Sequence, residues 1–145
     1  MATKTYRTKI KMVLDPVWYP GHEPHAMVQF NEETIFEGTF TEIQTIEYEA
    51  ELDEGEYLFH VIFSNKTDND TILEHGLDKA VIVSSVEVNG VNCDECLLHS
   101  NYYPEGREDM PGHNYLSWNG VWALKISVPA FEWMHKIKGL GWIFR

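Results

Sequence analysis

The chain has 145 residues, of which 43% are hydrophobic and 23% are charged, and its formal net charge is −12. This length and composition are typical of one globular domain that buries a sizeable core without stabilising cross-links. No apolar run approaches the roughly 20 residues that a membrane-spanning helix needs, so we expect no membrane partner. The N-terminal segment lacks the apolar stretch of a secretory signal peptide, which predicts synthesis in a cytosol.

The charges are unevenly distributed. Residues 12–65 contain twelve Asp and Glu and no Lys or Arg, whereas seven of the eleven basic residues lie in the terminal segments. A negative net charge without a basic stripe argues against nucleic acid as a partner. If the two ends of the chain lie together in the fold, the basic segments form one face and the acidic stretch forms another. We therefore predict salt-sensitive, head-to-tail self-assembly, with a soluble monomer as the alternative.

Apolar and polar residues alternate in nearly every segment, which predicts strands with one buried face. The first three predicted strands are TKIKMVL, TIEYEAEL and EYLFHVIFS. Both faces of EYLFHVIFS carry apolar residues, which indicates a central strand that is covered on both faces. Two more follow in KAVIVSSVEVNGV and VWALKISV. Turns are predicted at residues 53–55, as a tight hairpin, and at Asn89-Gly90 and Asn119-Gly120. The predicted core comprises Ile10, Met12, Ile46, Tyr48, Phe59, Val61, Val81, Val83, Val86, Leu124 and Ile126.

The spacing of these strands predicts an all-β fold, an antiparallel β-sandwich with about seven to nine strands. We expect residues 1–145 to form a single domain with less than about 10% helix. One segment, PAFEWMHKIKG, fits a strand through Phe131 and Trp133 and a helix through Trp133, Ile137 and Leu140. We predict a strand there.

Four of the five tryptophans lie in the last thirty residues. They are Trp118, Trp122, Trp133 and Trp142. Such a cluster forms either the centre of a small core or an aromatic face for a ligand. We predict core positions for Trp122 and Trp133. The candidates for an exposed, ligand-binding aromatic face lie in proline-flanked loops and are Trp18, Tyr19, Tyr102 and Tyr103.

Cys93 and Cys96 form a CxxC pair, with His99 three residues beyond. Three interpretations are open: zinc ligands, a redox pair or disulfide, and two reduced structural thiols. The sequence shows neither a second paired knuckle nor a thioredoxin-type βα junction. We therefore predict reduced thiols.

Residues 65–78 are rich in the hard oxygen ligands that calcium prefers. The spacing is not that of an EF-hand, and capping of turns by Asp, Asn and Thr explains the composition equally well. Both interpretations stay open. The candidate calcium ligands are Asp68, Asp70 and Asp78.

No nucleophile elbow, catalytic triad order, P-loop or HExxH motif occurs in the sequence. We therefore predict that the chain is not an enzyme and assign no catalytic residue.

The segment LDEGEYLFHVIFSNKTDNDT, followed by LDKAVIVSSVEVNGV, resembles the core of calcium-dependent, xylan-binding-type carbohydrate-binding modules. The likeness covers roughly residues 51–91. It implies a jelly-roll sandwich, a polysaccharide partner and bound calcium. The calcium ligands and the sugar-contacting aromatic of those modules cannot be aligned here beyond Asp68, Asp70 and Asp78.

The C-terminal tract SWNGVWALKISVPAFEWMHK, with GLGWIF after it, resembles small bacteriophage proteins of unassigned role, especially from marine phages. This second resemblance implies a virion context. Two functions therefore compete. The first is a virion structural protein, in capsid decoration or a tail or fibre, that is made in the host cytoplasm and contacts itself or other virion proteins. The second is a free-standing, calcium-dependent carbohydrate-binding module.

Overall fold

A computed structural model describes residues 4–137. Its strands are β1 (Thr5–Val17), β2 (His25–Phe30), β3 (Glu33–Thr39), β4 (Gln44–Asp53), β5 (Gly55–Phe63), β6 (Ala80–Val88), β7 (Val91–Asn92), β8 (Asn101–Pro104), β9 (Met110–Pro111), β10 (Tyr115–Leu116) and β11 (Gly120–Val128). Short 3-10 helices cover Leu73–His75 and Asp94–His99, and the helix α1 covers Ala130–Ile137. No helix within the described residues has the length and apolar character to cross a membrane.

The strands form two antiparallel sheets that pack face to face. The first sheet has the order β10-β6-β1-β4, with β7 also paired to β6, and the second has the order β3-β2-β5-β11-β8-β9. This arrangement confirms the predicted all-β sandwich. Eight of the described strands have four or more residues, which agrees with the predicted number. The other three have two residues each, too few for alternation to reveal them.

The core lies between the sheets and follows the alternation of the sequence. All the predicted core residues are buried except Tyr48, which is half-buried and packs against the core. Trp122 is fully buried, as predicted. β5 is central, because it pairs with β2 on one side and β11 on the other. Its outer face is not covered by the described residues, however, since Leu58 is 39% exposed.

Only one of the three predicted turns has the expected role. Asn89 and Gly90, with φ of 50° and 80°, connect β6 to β7 in a two-residue hairpin. The turn at residues 53–55 is not a hairpin, because β4 pairs with β1 in the first sheet while β5 belongs to the second. It is a corner where the chain crosses between the sheets. Alternation identifies a strand but not the sheet that it joins.

Gly120 is required by close packing rather than by a hairpin. It begins β11, and a Cβ atom on it would lie 2.3 Å from the carbonyl oxygen of Tyr103. Any larger residue would therefore separate β11 from β8 at this point. The preceding loop carries the chain from β10 in the first sheet to β11 in the second.

The segment after Pro129 is a helix, so the predicted strand is wrong. Ala130 and Met134, four residues apart, are buried at 4% and 5% exposure, while Phe131 is 57% exposed. In a strand Glu132 would share the buried face with Ala130 and Met134, but Glu132 is exposed. Burial at positions i and i+4 with exposure at i+2 is the pattern of a helix. Trp133 is half-buried against the core, whereas Trp142 and the GLGWIF tract lie outside the described residues.

The predicted separation of charge onto two faces is also wrong. β1 lies in the first sheet and β11 in the second, so the first and last strands are not neighbours. Instead, the basic β1 pairs with the acidic β4, with Lys9 opposite Glu49. Arg7 forms an ion pair with Glu49 and lies 3.6 Å from Glu51. The positive charges of β1 and the negative charges of β4 therefore alternate on one surface, while the C-terminal basic residues Lys138 and Arg145 lie outside the described residues.

The two cysteines are oxidised. Cys93 and Cys96 form a disulfide with a Cα–Cα distance of 5.5 Å, inside the usual range for such bonds. Both residues are fully buried. The prediction of reduced thiols is therefore wrong, and the disulfide alternative is correct.

Truncation of Phe59 should test the position of the core. The ring is 1% exposed, so we expect Phe59→Ala to lower the free energy of unfolding by about 3–5 kcal/mol. The adjacent Leu58, on the outer face of the same strand, provides the control, and Leu58→Ala should cost less than about 1 kcal/mol. Urea unfolding measures both. Equal losses would contradict the assignment of the two faces.

Candidate functional site

Three loops leave one end of the second sheet side by side. Gly120 pairs with Phe63 on one side and with Pro104 on the other, so the segments beyond these residues are neighbours. Together they enclose a cleft of about 580 Å³. Its lining residues are Lys66, Thr67, Asp68, Thr71, Leu73, Asp78, Glu105, Arg107, Ser117, Trp118 and Asn119. We call residues 64–79, which connect β5 to β6, the acidic loop.

Asn119 joins the three loops. Its side-chain oxygen accepts a hydrogen bond from the backbone N–H of Lys66 at 2.7 Å, and its side-chain nitrogen donates to the Lys66 carbonyl at 3.1 Å. The backbone N–H of Glu105 donates to the Asn119 carbonyl at 2.8 Å. One residue therefore sets the spacing of all three walls of the cleft.

Trp118 forms an aromatic wall whose backbone is fixed by Tyr102. The Tyr102 hydroxyl accepts the backbone N–H of Trp118 at 3.0 Å and donates to the Trp118 carbonyl. The Arg107 guanidinium lies 4.1 Å from the centre of the Trp118 ring, at cation–π distance. The cleft thus presents an indole and a guanidinium in a defined geometry.

Tyr102 is not the exposed aromatic that we predicted. It is fully buried, and burial raises the pKa of its hydroxyl to about 12. Its role is to hold the backbone of Trp118, since its ring points into the core. Tyr103, the next residue along β8, faces outward and is 44% exposed.

The remaining predicted aromatic residues do not line the cleft either. Trp18 is 42% exposed. Tyr19 stacks on His22 with ring centres 4.1 Å apart, and its hydroxyl donates to the Asn69 carbonyl at 3.1 Å. Tyr19 therefore supports the acidic loop from outside.

Asp70 is buried in the acidic loop at 2% exposure. Its Oδ2 accepts the backbone N–H of Thr67 at 2.5 Å and lies 3.0 Å from the Lys79 ammonium. Its Oδ1 lies 2.6 Å from His22 Nδ1. Burial alone would raise the pKa of Asp70, but the hydrogen bonds from His22, Thr67 and Lys79 outweigh it and hold the pKa well below its usual range.

Asp78 has a similar set of donors. Its Oδ1 accepts the Lys66 ammonium and the Thr71 hydroxyl, the latter at 2.6 Å, and its Oδ2 accepts the Tyr115 hydroxyl at 2.8 Å. These hydrogen bonds outweigh the effect of burial and lower the pKa of Asp78. Burial and the negative charge of Asp78 raise the pKa of Tyr115 to about 12.

The acidic loop does not fit a calcium ion shared by Asp68, Asp70 and Asp78. Each carboxylate oxygen of Asp70 and Asp78 already accepts at least one proton donor, including one ammonium group per carboxylate. Asp68 is exposed at the edge of the cleft. Within residues 4–137, no three Asp, Glu, His or Cys side chains converge on a point where one metal ion could bind.

The sequence contained a signal for this site that composition alone did not reveal. Between Lys11 and Lys125 the chain has only three basic residues, Lys66, Lys79 and Arg107. Lys66 and Arg107 line the cleft, and Lys79 pairs with the buried carboxylate of Asp70 in the acidic loop. Isolated cations in a strongly acidic stretch therefore indicate the loops that form the cleft.

Comparison with known proteins identifies the fold. No family model matches the chain, and no curated protein matches it. Six chains among the solved structures do. One is the selenomethionine form of vCBM60, from a study that linked two families of calcium-dependent carbohydrate-binding modules by circular permutation. It has a TM-score of 0.53 and 19% identity, over 81% of this chain and 89% of that one.

A second solved structure is vCBM60 in complex with galactobiose. It has a TM-score of 0.50 and 17% identity, over 80% of this chain and 96% of that one. At these identities the likeness concerns the fold alone. The chain has the β-sandwich fold of a carbohydrate-binding module.

Acid should destabilise the protein through Asp70 and Asp78. Their pKa values are lower in the folded state than the unfolded value of about 3.9, so their contribution is complete above about pH 4 and is lost as the pH falls further. We expect Asp70→Asn to be less stable near neutral pH and to lose less free energy of unfolding on acidification than the native chain. Urea unfolding at several pH values measures this.

The control for the acid experiment is Glu56→Gln, which removes an exposed carboxylate paired with Lys125. It should keep the native dependence on pH. An Asp70→Asn variant with the native dependence would show that the Asp70 carboxylate is not held ionised by its donors.

Proposed function

We propose that this domain is a non-catalytic carbohydrate-binding domain that holds a saccharide in the cleft between the acidic loop and residues 105–109 and 117–119. The observation that carries the proposal is the Trp118 ring with the Arg107 guanidinium beside it in a cleft of about 580 Å³. This volume lies in the range of small-molecule sites, roughly 300–1,000 Å³. The galactobiose complex of a protein with the same fold supports a saccharide as the ligand.

The groups around Trp118 match the chemistry of a sugar. A pyranose offers an apolar C–H face to an aromatic ring, and its hydroxyls both donate and accept hydrogen bonds. Arg107 supplies several N–H donors, while Asp68 and Glu105 supply exposed carboxylate acceptors at the cleft. The Tyr102 clamp fixes the Trp118 backbone before any ligand arrives, which lowers the entropic cost of binding.

Asp70 and Asp78 are unsuited to act as the general acid of glycoside hydrolysis. That reaction needs one carboxyl group with a raised pKa, which stays protonated and acts as the general acid. Asp70 and Asp78 have the opposite property, because their hydrogen bonds lower the pKa. We therefore assign no catalytic residue.

The virion role stays a prediction. The tract that suggested it covers β11, α1 and residues beyond those described, and the basic strand β1 lies beside the acidic β4 instead of forming a separate positive face. A carbohydrate-binding domain could also contact other virion proteins or a second copy of this chain, so the two proposals are compatible. Sedimentation of the purified chain at low and high salt would measure self-association directly.

Replacement of Arg107 or Trp118 by Ala should weaken saccharide binding by tenfold or more, since both contribute to the centre of the cleft. Calorimetry with galactobiose, followed by soluble polysaccharides, measures the affinity. Tyr103→Ala and Trp18→Ala are matched controls, because both remove exposed aromatic rings outside the cleft.

The control variants should bind as the native chain does. Arg107 is exposed, so its replacement should leave the melting temperature unchanged and separates lost binding from lost folding. Native affinity in both cleft variants, or loss of binding in Tyr103→Ala instead, would contradict the proposed location.

A further inference from the structure

Lys66 and Lys79 each bring an ammonium group to one carboxylate and one backbone carbonyl. The Lys79 ammonium lies 3.0 Å from Asp70 Oδ2 and donates to the Asn65 carbonyl at 2.5 Å. The Lys66 ammonium contacts Asp78 Oδ1 and donates to the Lys79 carbonyl at 2.6 Å. The two lysines thus form a pair of oxygen-lined cation positions within one loop.

Carboxylate and carbonyl oxygens are the ligands that calcium prefers. An ammonium group with three N–H donors can satisfy the same oxygens without a metal. Both lysine side chains are almost completely buried, at 10% exposure for Lys66 and 8% for Lys79. They therefore act inside the loop and not as solvated surface charges.

The second carboxylate oxygens of Asp70 and Asp78 leave no position for an added cation. Asp70 Oδ1 is taken by His22, and Asp78 Oδ2 by Tyr115. A divalent ion at either carboxylate would lie within a few ångströms of an ammonium group, where repulsion is weakly screened. Displacing that lysine would leave a buried charge without its partner, which is strongly unfavourable.

We propose that Lys66 and Lys79 replace a divalent cation as the internal positive charge of the acidic loop, so that this chain folds and binds its ligand without calcium. It thereby differs from the calcium-dependent modules that share its fold. The part concerning folding stands without the proposed function, and the part concerning ligand binding rests on it.

Thermal unfolding of the full chain tests the first part without any saccharide. The melting temperature should be the same in EDTA, in millimolar calcium and in millimolar magnesium. A saturable rise with calcium that EDTA removes would overturn the proposal, because a ligand that binds only the folded state must raise its stability.

Variants test the lysines themselves. Lys79→Met keeps the apolar stem and removes the charge, and it should lower the melting temperature by roughly 10 °C. Lys66→Met should lower it less, since its partner Asp78 is more exposed than Asp70. Lys79→Arg, which keeps the charge, should recover part of the loss.

The matched control is Lys125→Met, because Lys125 forms an exposed ion pair with Glu56. It should change the melting temperature by less than about 3 °C. Native melting in both Lys79→Met and Lys66→Met would overturn the proposal. If neither variant folds, the loss agrees with the proposal and the calcium measurement on the native chain decides it.

Calorimetry tests the second part. The affinity for galactobiose, or for whichever polysaccharide the native chain binds, should be the same within twofold in EDTA and in calcium. Binding that EDTA abolishes would overturn the metal-free proposal while supporting the cleft as a carbohydrate site. Absence of binding under every condition would contradict the proposed function and leave the melting result as the test of the lysines.

Discussion

The buried ion pair between Asp70 and Lys79 is the interaction on which the shape of the acidic loop depends. Between β5 and β6 the regular backbone structure is limited to a three-residue 3-10 helix and one bridge between Ile72 and Leu77, and neither includes Asp70 or Lys79. Burying a carboxylate and an ammonium is expensive unless both are fully hydrogen-bonded. Here Asp70 accepts from Thr67 and His22 as well as from Lys79, and the Lys79 ammonium also donates to the Asn65 carbonyl. The pair therefore specifies one loop conformation.

A series of hydrogen bonds connects this ion pair to the cleft. The Lys79 carbonyl accepts the Lys66 ammonium, and the Lys66 backbone is held at both its N–H and its C=O by Asn119. Asn119 follows Trp118, whose backbone is clamped by Tyr102. A saccharide entering the cleft would thus meet walls that are already positioned. Such preorganisation lets a shallow site bind without a large cost in ordering its loops.

The sequence predicted the sandwich well because alternation is a local property. Residues such as Phe59 and Val61 bury one face whatever the topology, whereas the partner of a strand is decided by contacts distant in sequence. That is why the corner at residues 53–55 was mistaken for a hairpin. The apolar residues after Pro129 fit both periods in the sequence, and only the exposure of Glu132 between the buried Ala130 and Met134 distinguishes the helix from a strand.

The site was harder to predict than the fold. Asp70 and Asp78 attract attention for their oxygen atoms, but the lysines that neutralise them lie nine and twelve residues away in sequence, and the folded loop alone brings them into contact. Tyr102 and Tyr103 are indistinguishable in the sequence, yet one is buried and the other exposed because neighbours on a strand face opposite ways. Trp118 lines the cleft because it lies in the loop between β10 and β11, which the sequence pattern does not show.

The most direct test of this account is a double-mutant cycle on Asp70 and Lys79. Unfolding free energies of the native chain, Asp70→Asn, Lys79→Met and the double variant give the coupling between the two side chains. If the pair organises the loop, each single variant should be strongly destabilised. The loss of unfolding free energy in the double variant should be smaller than the sum of the two single losses, by a coupling of about 1–3 kcal/mol. Additive effects, within about 0.5 kcal/mol, would show that the two groups stabilise the loop independently and would contradict the account.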